Sequence, residues 1–441
     1  MTSDAGQQKG KQMDSIIPYS CIFIDGDWRT FSSAAWKCFS CQSNNKKVVT
    51  DLQKRWTNVN NTNSVLPCLS VRSGLDLYLK VMNFEAGSEV IMSAINIPDM
   101  VTVVKHHNLK VVPWDISIET TEPKLDLLPS LITSHTVAIL VAHIFGKWCD
   151  MDPIIDVAQS YNLPVIEDCA ESFCGFDVIG NPRSDLVLFS FGVIKFSTAF
   201  GGAIAKIKDE SVYKKMLEVY GTYRVQGHGE FLKKIFKYYL VYLILLPFSE
   251  KILISAARFF GIDHKAMAVQ MLRGFPDQMT QRIKMRPSSA LLQMLRERLE
   301  GFSKSDFETG QVKGDYVRMR LPEEAQMVGM KAIINNYWLF PILVESPDTV
   351  LSVLNALGVD AYRGATQLNI IEPETSPNSD DPMTPIDPSY PSEARYLIDH
   401  VVYLPVNKKV PFHVLNKICN AVKEAIRLSK DSPKVRIQSK L

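Results

Sequence analysis

LPVIEDCAES at residues 163–172 and LVLFSFGVIK at residues 186–195 decide the fold of this chain. Each opens on a short apolar run suited to a strand buried on both faces. Each then delivers charge at its carboxyl end: Glu167, Asp168 and Glu171 from the first, Lys195 from the second. Strands of that kind belong to parallel sheets covered by helices, and such sheets bind ligands beyond their carboxyl ends. Lys195 is bracketed by Phe189, Phe191, Val193, Ile194 and Phe196, a setting that disfavours the charged form of an amine. That suits a nucleophile or Schiff-base former, although this pattern by itself leaves an ordinary solvated lysine open.

The same alternation extends to both sides. Upstream, strands are expected at 89–92, 110–114 and 137–144. Between them lie helical stripes at Leu75, Tyr78, Leu79 and Met82, at Val101 and Val104, and at Ile154, Val157, Ala158 and Tyr161, the last after Asp150 as a capping residue. Downstream, 203–207 reads as a further strand and 286–301 as a long amphipathic helix with Leu291, Leu292, Leu295 and Leu299 on one side. A smaller α/β unit follows: a strand at 337–344, a helix at 347–357, a strand at 401–405 and a last helix at 411–428, whose inner face is Leu415, Ile418, Val422 and Ile426. The proline-rich stretch 372–391 reads as a loop. The fold class is therefore α/β, a large domain with a mostly parallel sheet plus a small C-terminal α/β domain. Residues 1–15 are expected to be disordered, 16–230 to form the large domain, 231–280 an apolar insert, and 281–441 the interdomain helix and small domain.

Composition narrows the function classes. The 441 residues are 46% hydrophobic, which supplies core for two or three domains, and 49 basic against 47 acidic residues leave a net charge of +2. A dedicated nucleic-acid binder carries a larger basic excess, so no nucleic-acid partner is expected. Eight scattered cysteines point to unpaired thiols in a reducing cytosol. Cys38-x-x-Cys41 has no second pair to complete a zinc site, and no metal is expected. The segment 231–261, FLKKIFKYYLVYLILLPFSEKILISAARFFG, contains the apolar run 238–248, broken at Pro247 and edged by Lys233, Lys234, Lys237 and Lys251. That falls well short of the roughly 20 residues a spanning helix needs. Helices lying in a membrane interface, contact with a partner subunit and an ordinary core helix all stay open.

Five stretches carry a resemblance: VRSGL (71–75) followed by GSEVI (87–91); VAHIFG (141–146) with Asp150; IEDCAES (166–172); FSFGVIK (189–195); and the helix 286–299 followed by VVYLP (401–405). In this order and spacing they resemble the DegT/DnrJ/EryC1/StrS family of aminotransferases. These are fold type I enzymes that use pyridoxal 5'-phosphate, best known for aminating nucleotide-linked keto sugars. The resemblance implies that Lys195 carries the cofactor covalently through its aldehyde and, once displaced, moves a proton on the substrate. It implies that Asp168 faces the pyridine nitrogen and holds it protonated. Ser190 is expected to donate to the phosphate, with the backbone N–H groups of Arg72, Ser73 and Gly74 as a second anion site. Glu171 is expected near the ring oxygen, its other reading being a helix-capping acid.

Departures from the family pattern mark a divergent branch. Arg72 stands where Thr is usual and could meet the phosphate directly. Ile97 replaces a stacking aromatic and covers the ring by apolar contact alone. Gly192 replaces a histidine, and the loop from Lys195 to Gly201 is one residue shorter. Lysine rather than histidine at 195 favours amino transfer over dehydration. The resemblance also implies a homodimer in which Lys284 and Arg286 reach the neighbour's phosphate or a substrate anion. The expected activity moves an amino group from an amino-acid donor to a keto acceptor on a sugar or nucleotide sugar. The expected location is cytoplasmic, with peripheral membrane contact through 231–261. The alternative is a non-catalytic, membrane-associated binding or scaffold protein that retains the fold. The absent stacking aromatic and the insert favour it; Asp168, Ser190 and Lys195 oppose it.

Overall fold

The computed structural model describes residues 16–40, 45–57, 64–260, 278–364, 368–373 and 390–431. The expectations for 1–15, for Cys41, for most of the insert's last third and for most of the 372–391 loop lie outside these residues.

Seven strands, β1 (Ser64–Cys68), β2 (Glu89–Ser93), β3 (Lys110–Trp114), β4 (Thr136–Ala142), β5 (Val165–Cys169), β6 (Leu186–Ser190) and β7 (Ala203–Ile207), form one sheet in the order β1-β7-β6-β5-β4-β2-β3. β6, β5, β4, β2 and β3 run parallel. β7 runs against both of its neighbours, β6 and β1. The two-residue period of a strand sends Val187 and Phe189 to one face of β6 and Leu186 and Leu188 to the other, and all four are fully buried.

Each face has its own helical layer. On the first, α1 (Trp28–Ser40), α2 (Asn45–Trp56), α7 (His228–Ile244) and α9 (Ser289–Glu300) enclose Trp56, Phe189, Phe231 and Leu291. On the second, α3 (Val71–Met82), α4 (Pro98–His106) and α6 (Glu210–Gly221) enclose Leu75, Met100, Leu140, Leu188 and Met216. α5 (Asp152–Ser160) follows β4. The Asp150 carboxylate accepts from the Asp152 N–H at 3.1 Å, so it does tie the start of α5. Tyr161, expected on the inner face, lies just past the helix end and is exposed; the buried side of α5 is Ile154, Ile155 and Ala158.

The smaller unit has a three-stranded antiparallel sheet, β8 (Gln326–Met327), β9 (Pro341–Leu343) and β10 (Val401–Tyr403), with β9 central. α10 (Lys304–Arg318) leads into it. α11 (Pro347–Ala356) and α12 (Phe412–Asp431) pack over it, burying Leu354, Leu415, Ile418 and Val422. Several expected elements are shorter than their apolar runs. The 337–344 strand reduces to Pro341–Leu343, because Tyr337 adopts a left-handed conformation. The 286–301 helix starts at Ser289, where the Ser288 hydroxyl caps it by accepting from the Leu291 N–H at 3.3 Å. The 137–144 strand ends at Ala142, ahead of left-handed Phe145.

Two short ladders fasten the small unit to the carboxyl ends of the large sheet. Ile95–Asn96 pairs with Asn369–Ile370, and Lys147–Trp148 pairs with Ile334–Asn335. In the insert, α7 buries Phe231, Ile235, Tyr238 and Val241 at helical spacing and turns Phe236, Leu240 and Leu243 outward; α8 (Pro247–Phe260) follows. No helix among the described residues is long and apolar enough to cross a membrane. The cysteines at 68, 149, 169, 174 and 419 are free thiols.

Candidate active site

Beyond the carboxyl ends of β4, β5 and β6 lies a cavity of about 530 Å³. Asp168 comes from β5, Glu171 from the turn after it, and Ser190 from the end of β6. The chain then folds back sharply. The Phe191 carbonyl accepts from the N–H groups of both Ala199 and Gly201, and the Gly192 carbonyl accepts from the Lys195 N–H at 3.0 Å and the Thr198 hydroxyl at 2.7 Å. This loop turns Lys195 back over β5. Arg72 from the first turn of α3 and Ile97 ahead of α4 complete the wall, so six of the residues expected from the sequence share one pocket.

Lys195 Nζ lies 3.5 Å from Glu171 Oε1 and 3.7 Å from the centroid of the Trp338 ring. Trp338 is fixed to the lysine's own segment, its indole N–H donating to the Ile194 carbonyl at 2.8 Å. The other oxygen of Glu171 accepts from the Phe145 N–H at 2.9 Å, which the left-handed turn at Phe145 makes available. Asp168 Oδ1 accepts from the Ala170 N–H at 3.1 Å.

Burial dominates the electrostatics. It lowers the Lys195 pKa against the opposing attraction of Glu171 and Asp168. It raises Glu171 against Lys195 and the Phe145 N–H, and it raises Asp168 against the Ala170 N–H and Lys195. All three groups are thus pushed toward their neutral forms. For the amine, that is the nucleophilic form.

Other expected residues stand elsewhere. Ser73 and Gly74 do not line the cavity. The Ser73 N–H is held by the Ser70 hydroxyl at 3.2 Å and the Gly74 N–H by the Ser70 carbonyl at 3.2 Å, so neither is free to meet an anion. Gly74 has a packing role instead, since a Cβ there would lie 2.8 Å from Leu188 Cδ2. Arg72 lines the cavity while its Nε meets Asp99 at 2.7 Å. Lys284 donates to His106 Nε2 at 3.0 Å and Arg286 Nε to the Tyr223 carbonyl at 2.9 Å, and both lie outside this pocket.

Three further side chains belong to the site. Asn96 is buried in its wall; its oxygen accepts from the Ile97 N–H at 2.7 Å while Nδ2 has no partner. His143 Nδ1 accepts from the Cys149 N–H at 3.0 Å, which places the ring proton on Nε2, 3.0 Å from Glu167. Glu167 also accepts from the Asn181 N–H at 2.8 Å. His143, Glu167 and Cys169 sit close enough to suggest a metal group, but these bonds already engage the histidine and carboxylate. The third is Trp338. Neither Asn96 nor Trp338 sits in a charged motif, so spacing gave no signal for them; His143 was visible inside VAHIFG, without a role.

Residues 43–246 match the model of the DegT/DnrJ/EryC1/StrS aminotransferase family. The chain is 32% identical over 150 residues to a GDP-perosamine synthase of Escherichia coli O157:H7, a match covering 33% of this chain and 41% of that protein. It spans about two-fifths of the length of several curated relatives it matches. Solved structures match along nearly the whole chain. The aminotransferase TlmJ from Streptoalloteichus hindustanus superposes with a TM-score of 0.63 at 13% identity, over 93% of this chain and 100% of that one. DesI, solved in the presence of its TDP-sugar product, superposes with a TM-score of 0.63 at 17% identity, over 95% and 96%. At such identities these structures establish the fold, that of type I aminotransferases.

Proposed function

We propose, from the match of residues 43–246 to the model of the DegT/DnrJ/EryC1/StrS aminotransferase family, that it is a pyridoxal-phosphate-dependent aminotransferase. In this reading it passes an amino group from an amino acid to a keto group on a sugar or nucleotide sugar. The observation that carries the proposal is Lys195, Asp168, Glu171, Ser190 and Arg72 converging on one pocket at the carboxyl ends of the strands.

The donor set fits the cofactor. A buried amine suits an aldehyde, a buried carboxylate suits a protonated ring nitrogen, and Ser190 with Arg72 suits a phosphate. Ile97 and Met100 offer apolar cover, and the unpartnered Asn96 Nδ2 is a donor for a ring or substrate oxygen. When bound, the cofactor supplies an electron sink for the carbanion left at the donor carbon. The chain's own residues do the rest. Lys195, favoured as the neutral amine, would hold the aldehyde and would carry a proton to and from the substrate carbon. Glu171 and the Trp338 face hold its ammonium form between those steps. Asp168 would hold the ring nitrogen in its protonated form, the pairing of opposite charges offsetting the burial of its carboxylate.

A homodimer belongs to the proposal. Lys284 and Arg286, both outside their own pocket, are assigned to the neighbour's phosphate or a substrate anion. So does a peripheral membrane contact through 231–261, supported by the outward Phe236, Leu240 and Leu243.

The test is spectroscopic. Protein incubated with pyridoxal phosphate should turn yellow, borohydride should fix the cofactor to Lys195 as located by peptide mass spectrometry, and glutamate or another donor should bleach the colour. Protein that stays colourless refutes the cofactor. A coloured protein whose spectrum ignores every amino acid supports the non-catalytic scaffold reading instead.

A further inference from the structure

α1 and α7 lie side by side over the same core, and each leaves an apolar stripe outside it. On α1 the stripe is Trp28, Trp36 and Phe39, exposed by 60%, 69% and 74%. On α7 it is Phe236, Leu240 and Leu243, and α8 adds Phe248 and Ile252. The stripes of α1 and α7 meet in a groove of about 590 Å³ walled by Trp28, Phe31 and Ala35 on one side and Leu232, Phe236 and Tyr239 on the other. Single exposed apolar residues are ordinary; a continuous band across neighbouring helices marks an interaction surface.

The charges around the band are mostly basic. Arg29, Lys233 and Lys251 are exposed and Lys237 is half-buried, while α1 contains no acid and Asp27, just ahead of it, is the exposed acid at this edge. Glu230 is turned to Arg224 at 3.0 Å, and Glu250 is buried. A second copy of the chain docked here about a two-fold axis would set this basic fringe against itself. An anionic surface complements it. Trp and Phe on the apolar side with Lys and Arg at the edge is the chemistry of helices that lie in a bilayer interface, with cations at the headgroups.

We propose that α1 together with the α7–α8 hairpin forms a single docking face for an anionic lipid surface, with the helices lying in its plane. The inference rests on the peripheral contact proposed above and adds a second, N-terminal element and a charge preference to it. The full-length protein should float with vesicles of phosphatidylcholine plus phosphatidylserine, and about tenfold less with phosphatidylcholine alone or at raised salt. Replacing Trp28, Trp36 and Phe39 together by Ser should lower flotation about tenfold, as should replacing Phe236, Leu240 and Leu243. Circular dichroism and the borohydride adduct should be unchanged, because all six side chains are exposed. If only the α7 set matters, the shared face is wrong and the contact through 231–261 stands. Wild type that floats with neither vesicle refutes both. If the α1 set instead changes the sedimentation coefficient without changing flotation, the face belongs to a second copy. If both sets leave vesicle binding intact but open the groove to an apolar dye, a segment of the chain itself covers it.

Discussion

Lys147 is 1% exposed, in the short ladder that ties the small unit to the sheet. Its ammonium lies 5.4 Å from the Tyr337 ring centroid, and burial pushes its pKa from the ordinary 10.5 down to about 7. Gly329, left-handed at φ 67°, is needed to pass this stem, since a Cβ there would lie 2.0 Å from Lys147 Cδ. Because the folded pKa is depressed, the unfolded chain binds the proton more tightly. The penalty on folding is fully present well below pH 7 and fades as pH rises toward 10.5. At 1.36 kcal/mol per pKa unit, a displacement from 10.5 to about 7 makes the site destabilising by about 4 kcal/mol at pH 7 and about 2 kcal/mol at pH 9. Lys147→Met keeps most of the stem and removes the charge. Urea unfolding of the cofactor-free protein, followed by circular dichroism from pH 6 to pH 9, should show K147M more stable than wild type. The gap should shrink by about half between pH 7 and pH 9. A gap that does not change with pH, or a K147M protein less stable at pH 7, refutes the assignment of a buried, largely desolvated ammonium.

Asp168→Asn should weaken cofactor binding at least about tenfold, because a hydrogen bond to a charged group contributes about 1.5–3 kcal/mol; titration of the yellow species measures it, and unchanged affinity removes Asp168 from the ring nitrogen. Trp338→Leu deletes the π face under Lys195, worth about 0.5–2 kcal/mol to its ammonium form. Labelling of Lys195 by an amine reagent in cofactor-free protein at pH 7 should therefore accelerate about twofold to thirtyfold, with Trp338→Phe between; equal rates for all three proteins would show the ring does not hold the ammonium. Gly74→Ala, which in an open helix gains up to about 1 kcal/mol, should here cost about 1–3 kcal/mol, because the added methyl meets Leu188; a raised urea midpoint would show that Leu188 yields.

The order of the large sheet's elements was legible because its strands are buried on both faces and its helices on one, the two patterns that periodicity reports. What strand reading did not supply was the burial of polar groups. Glu167, read as charge at the end of an apolar run, lies inside β5, Lys206 lies inside β7, and both are fully buried. Glu167 is tolerated because His143 and the Asn181 N–H meet it, contacts between segments that no local pattern contains. The ends of elements failed for a related reason. Phe145 and Tyr337 take left-handed conformations that apolar side chains rarely adopt, and each serves a tertiary demand: Phe145 presents its N–H to Glu171, and Tyr337 sits between the Asn335 ladder and Trp338.

The site divides along the same line. Residues that carry charge into the pocket, Lys195, Asp168 and Glu171, lie at strand ends, where the chain's direction alone predicts convergence. Those that set the environment of the charges come from further away. Trp338 arrives from the small unit, 143 residues beyond Lys195, and Asn96 is fixed by the ladder that Asn369–Ile370 forms on Ile95–Asn96. The backbone N–H of Ser73 was expected to bind an anion because it opens a helix; the Ser70 hydroxyl takes it instead. A helix start leaves its first N–H groups unpaired only until a capping side chain claims them, and here Ser70 makes that claim. Arg72 lines the pocket where Ser73 and Gly74 do not, so the proposed function assigns anion binding at this helix to its side chain. In that proposal a guanidinium, at the position where the family it resembles has Thr, would compensate for a helix terminus closed by its own cap. On this reasoning Arg72→Thr should not be a benign return to the family residue: cofactor affinity should fall while the fold, read by circular dichroism, stays intact. Unchanged affinity would mean that Ser190 and the remaining N–H groups suffice, and that Arg72 serves only its ion pair with Asp99.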